Sequence, residues 1–64
     1  MKTVYDVLIE KLEEAKTDSM QFLVDGGVKD FAEYKSLCGE IRGLSAAQEE
    51  IKDLVRKLKE EDDD

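Results

Sequence analysis

The side chains best suited to chemistry are four carboxylates and one thiol. Glu10, Glu13, Glu14 and Asp18 cluster in the first third of the chain. Cys38 stands one helical turn from Lys35 and one from Arg42. Carboxylate metal sites in helical bundles combine Glu with a Glu-x-x-His element, and this 64-residue chain has no His. The cluster therefore reads as a solvated helix face. A nucleophilic thiol needs a nearby base, and Lys35 and Arg42 alone are thin support for reactivity. One Cys forms neither an intramolecular disulfide nor a thiolate metal cage, so Cys38 reads as a small hydrophobe beside a helix seam. No catalytic, cofactor-binding or metal-binding residue is assigned. No cofactor is expected, and the chain reads as a non-enzyme.

Charge narrows the partners. Asp and Glu number 17 against 10 Lys and Arg, a formal net charge of -7. So acidic a chain is poorly suited to gripping nucleic acid or an anionic membrane. No run approaches the roughly 20 apolar residues of a membrane span. Asp6, Glu10, Lys11, Glu13 and Glu14 break up any early signal-like stretch. The length suits one small domain, too small to enclose a substrate cleft of ordinary volume. Protein partners remain.

Two helical segments flank one turn. Thr3 and Asp6 fit a variant capping box. Val4, Leu8, Leu12 and Ala15 then recur at helical spacing, followed by Phe22 and Leu23. The first helix is predicted over about 3–24, with a propensity dip at Thr17-Asp18-Ser19. Asp25-Gly26-Gly27 ends it, because glycine adopts the left-handed cap conformation without a Cβ penalty. The turn spans 25–29, and Phe22 and Phe31 are expected to lock it together. Asp30 caps the second helix, with Glu33 placed to reach back to its N–H. From there Tyr34, Leu37, Ile41, Leu44, Gln48, Ile51, Val55 and Leu58 follow alternating spacings of three and four. That is a heptad seam with one polar member, Gln48. The second helix is predicted over about 30–61, with an acidic tail at 62–64. The fold class is all-α: an antiparallel helical hairpin with a longer second helix.

Folding the chain at Gly26-Gly27, with Val24 level with Asp30, sets Tyr5 opposite about Glu49. Residues beyond Ile51 then have no intrachain partner, yet Ile51, Leu54, Val55 and Leu58 keep the apolar stripe going. Leaving such side chains in water forfeits about 1.5–3 kcal/mol each. A two-helix core is also thin for its chain entropy. The hairpin is therefore expected to complete a helical bundle by oligomerisation or by docking on another protein, a two-fold dimer being the simplest closure.

Two further features bear on contacts. Gly39 and Gly43 sit inside the second helix, where each costs about 1 kcal/mol relative to Ala. With Ala46 they make a small-residue strip opposite the seam, suited to close approach of another helix. Arg42 lies beside that strip, placed either to pair with a carboxylate across an interface or to remain a solvated cation. The interaction residues assigned from sequence are Gly39, Arg42, Gly43, Ala46, Ile51, Leu54, Val55 and Leu58.

Residues 26–44 resemble a pattern found in small tailed-bacteriophage proteins: Gly-x-x-x-Asp-Phe/Tyr-Ala-x-Tyr-Lys/Arg-x-Leu/Cys-x-Gly-x-x-x-Gly-Leu, followed by a charged helix. The positions carrying the resemblance include Asp30, Tyr34, Gly39 and Gly43. Those proteins are short and helical, mostly without an assigned function, and are often encoded among virion structural genes. The resemblance implies a phage-encoded accessory protein located in the virion or the host cytoplasm. It carries over no catalytic residue. The expected function is a virion-associated or assembly component acting through helix–helix contacts. The alternative is an acidic regulator whose carboxylate-rich tail occupies a basic site on a host or phage protein.

Overall fold

The computed structural model describes residues 2–62, and the side chains of residues 2–60. It is an antiparallel helical hairpin: α1 spans Val4–Val24 and α2 spans Phe31–Asp62. The role foreseen for the acidic tail falls on side chains outside the described residues.

The caps form as local chemistry dictates. Thr3 Oγ1 accepts the Asp6 N–H at 3.2 Å, and Asp6 Oδ2 accepts the Thr3 N–H at 3.0 Å. This closes the capping box and satisfies two donors that would otherwise lack a helical partner. At the other end of α1, the Gly26 N–H donates to the Leu23 carbonyl and the Gly27 N–H to the Phe22 carbonyl. That pair of bonds is a Schellman motif. Gly26 sits at φ 78, in the left-handed region where a Cβ is penalised. Asp30 caps α2 by accepting the Glu33 N–H at 2.8 Å. Among the described residues, the return bond expected from the Glu33 carboxylate is not formed. Both helices run unbroken, α1 through Thr17-Asp18-Ser19 and α2 through Gly39 and Gly43.

Two expectations about packing need correction. The first is the phase of α1. Its half-buried residues are Tyr5, Ile9, Leu12, Ala15, Lys16, Ser19 and Leu23. Val4, Leu8 and Phe22, expected on the inner stripe, are exposed. Tyr5, Ile9, Leu12, Lys16, Ser19 and Leu23 keep the four-three spacing that meshes with the α2 seam. Two polar members disguise that spacing in the sequence.

The second correction is the register. Gln48 bonds to Ile9, Glu13 and Lys16, so it lies level with about residue 12 or 13 rather than with Asp6. α2 has slid toward the turn. Its first turn projects past the end of α1, where Phe31 is 71% exposed. Phe31 stacks on Tyr34 with ring centroids 6.2 Å apart, and Lys35 Nζ lies 5.7 Å from the Phe31 ring centroid. Phe22 and Phe31 therefore do not lock the turn together: the Phe22 ring covers Gly27, where an added Cβ would come within 2.5 Å of it. At the other end the large overhang disappears. Ile51 and Val55 lie half-buried in the seam with α1, while Leu54 and Leu58 are exposed.

Candidate interaction surface

The seam is held by a polar clamp. Gln48 is 5% exposed, the one buried residue among those described. Its Nε2 donates to the Ile9 carbonyl at 3.2 Å and to Glu13 Oε2 at 2.8 Å. Its Oε1 accepts from Lys16 Nζ at 3.0 Å. Lys16 also approaches Glu13 at 3.6 Å, with its side chain only 17% exposed. The amide thus uses both its donor and acceptor ends, as burial demands. Gln48 holds the Glu13 carboxyl below its ordinary value by hydrogen bonding, with Lys16 adding charge attraction.

Residues on either side of the seam define two flanks. Each helix winds by about 100° per residue. The residue before each seam position therefore lies to one side, and the residue after it to the other. Because the helices are antiparallel, the preceding residues of α1 and α2 share one flank, and the following residues share the opposite one.

The flank of following residues is charged at the open end of the hairpin and carries the exposed Met20 and Val24 toward the turn. Asp6 and Glu13 on α1 lie on the same side as Lys59 and Lys52 on α2, whereas Arg56 pairs with Asp53 on its own helix. The backbone hydrogen bond from Thr3 does most to hold the Asp6 carboxyl below its ordinary value, and Lys59 on the facing helix contributes. Lys52 acts on Glu13 in the same sense. Acid thus faces base across this side of the seam. Cys38 is half-buried on it, and hydrogen bonding to that thiol is the main cause raising the Tyr34 hydroxyl above its ordinary value.

The flank of preceding residues is apolar at the open end of the hairpin. It carries Val4 and Leu8 from α1 and Leu54 from α2, all exposed, Val4 at 75%, with Leu58 exposed at the last seam position beside them. Toward the turn it passes through Lys11 and Glu50, then Ala15 and Ala47, then Asp18 and Gly43, then Phe22 and Glu40. A shallow groove of about 390 Å³ runs beside Leu54, lined also by Glu50, Ile51, Asp53 and Lys57.

The assigned interaction residues are distributed as follows. Gly43 and Leu54 lie on the apolar flank, and Leu58 is exposed at the last seam position beside it. Gly39 and Ala46 lie exposed on the back of α2. A Cβ added at Gly39 or Gly43 would meet nothing within 4 Å. Arg42 is exposed beside that strip, and no ion pair among the described residues involves it. Ile51 and Val55 belong to the seam. Val4 and Leu8 are members of the flank that sequence reasoning assigned to the hairpin interior. The signal that separates them is the rival stripe one residue later, beginning at Tyr5 and Ile9.

The carboxylate cluster of α1 lines a second depression, with Lys2, Glu10, Glu13, Glu14, Thr17 and Asp18 around it. Lys2 bridges to Glu10 at 2.6 Å, and that contact raises the lysine above its ordinary value. Among the described residues, no three metal-ligating side chains converge. No helix of those residues is long and apolar enough to cross a membrane. Comparison of the chain with protein-family models, with curated proteins and with solved structures gives no match.

Proposed function

We propose that the chain is a non-enzymatic assembly component that works through helix–helix contacts, its own copies being the first partner. The observation that carries this reading is the missing core. Among the described residues, no apolar side chain is buried. The accessible surface is 5203 Å², against about 4,200 Å² for a compact monomer of this mass. The radius of gyration is 15.4 Å, against about 11 Å for a compact chain of this length. The excess surface is of the order that one partner buries in a standard interface, about 800 Å². The resemblance of residues 26–44 to small phage proteins supports a virion or an assembly intermediate as the setting, in the particle or the host cytoplasm.

Light scattering and sedimentation across concentration test the reading on the wild type and on Leu54→Asp/Leu58→Asp. The expected result is a wild-type oligomer that the double substitution dissociates while helicity persists. A helical monomer at every concentration, unchanged by the substitutions, would sink it.

A further inference from the structure

We propose that a second copy docks on the apolar flank about a two-fold axis parallel to the helices, so that α1 of each hairpin lies antiparallel along α2 of the other. This rests on the self-association proposed above and adds its geometry. Rotation about such an axis leaves heights unchanged. Residues level with each other across one hairpin are therefore level with each other between the two copies.

The Gln48 clamp sets those levels. Leu8 of one copy meets Leu54 of the other, Lys11 meets Glu50, and Ala15 meets Ala47. Toward the turn the same spacing sets Asp18 beside Gly43, where α2 carries no side chain, and Phe22 beside the aliphatic stem of Glu40. Three successive levels are matched: large with large at the open end, cation with anion in the middle and small with small beyond it. Turning the second copy end for end would instead lay α1 on α1 and α2 on α2, with the apolar open end over the turn. The hairpin measures 53 × 21 × 12 Å. Its broad face thus exceeds the roughly 800 Å² per partner of a standard interface, and the product is an antiparallel four-helix bundle.

The Lys11–Glu50 contact provides a test that intrachain effects cannot mimic. Lys11→Glu and Glu50→Lys are made as separate chains, and dimer dissociation is measured by sedimentation for each chain alone and for their equimolar mixture. Each variant alone places like charges at both symmetry-related contacts, and its dimer is expected to weaken roughly tenfold. In the mixture both contacts regain opposite charges, and affinity is expected to return to within about twofold of the wild type. Circular dichroism of each chain alone checks that helicity is kept. A wild-type dimer with unaltered variants, or weakened variants that do not recover on mixing, would overturn the docking geometry and leave self-association standing. A wild-type chain that stays monomeric would overturn both.

Discussion

The two flanks of the hairpin lie on the same pair of helices, one residue to either side of the same seam. On one, Asp6 and Glu13 face Lys52 and Lys59, and Gln48 ties the seam beside them with three hydrogen bonds. On the other, Val4, Leu8 and Leu54 stand exposed, with Leu58 beside them. Polar contacts within the chain set where the helices stop sliding, since a hydrogen-bonded amide has one satisfied register whereas aliphatic side chains slip with little cost. Most of the attraction available from apolar surface is directed outward. A hairpin built this way has its alignment specified from within and, on the self-association proposed above, its stability completed from outside.

The largest expected effect comes from placing one charge on each flank. Leu8→Asp should weaken self-association by a hundredfold or more, because two leucines leave the interface and two carboxylates enter it. Met20→Asp, at a similarly exposed site on the opposite flank, should leave the dissociation constant within about threefold. Equal effects in sedimentation would erase the distinction between the flanks.

Next in size is Gln48→Ala. It strips Lys16 Nζ and the Ile9 carbonyl of a partner in a half-buried setting, at a cost of about 2–3 kcal/mol. The thermal midpoint followed by circular dichroism should fall by about 8–20 °C. Gln48→Leu should melt higher than Gln48→Ala but give broadened amide spectra, as the helices sample neighbouring registers.

Gly43→Ala should separate folding from assembly. In the hairpin alone the new methyl meets nothing, and α2 should gain about 0.5–1 kcal/mol of helix stability. Association should nevertheless weaken several-fold if α1 of a second copy packs closely over this position. Stabilisation of both folding and assembly would place the contact elsewhere on the flank.

Acid should act on the charged flank most gently of all. Glu13 has a folded pKa below its ordinary 4.5, so its contribution is present above that value and is lost as pH falls through the lowered one. Glu13→Gln should therefore lose less thermal stability than the wild type between pH 7 and pH 3. The carboxylate is largely exposed, so the difference should be small.

How much of this was legible depended on where polar residues fell. The caps at Thr3, Gly26 and Asp30 could be read directly, because each uses a short local rule. The α2 seam from Leu37 to Val55 was equally plain, since its one polar member, Gln48, interrupts a long aliphatic series. The α1 seam was hidden, because Lys16 and Ser19 occupy two of its positions while Val4, Leu8 and Phe22 advertise the neighbouring stripe. The register was hidden for a related reason. Apolar spacing repeats every heptad and fits several alignments, whereas the bonds that choose among them join Gln48 to a carbonyl and two charged side chains far away in sequence. Of the candidate surface, Leu54 could be found from its excess over the seam, and Leu58 from the continuation of the seam past Ile51. Val4 and Leu8 required the correct phase of α1 first.

The placement of the clamp also divides the hairpin unequally for hydrogen exchange. Between Gln48 and the Schellman turn, both helices are tethered at two points, and their amides should open only with the whole molecule. Between Gln48 and the open end, nothing covalent joins them. There the first turns of α1 and the stretch of α2 beyond Ile51 should open as a separate, cheaper unit. The apolar flank lies mostly on that unit. Amides near Leu8 and Leu54 should accordingly exchange fast in dilute solution and slow sharply as copies associate, while those near Leu12 and Leu44 change little.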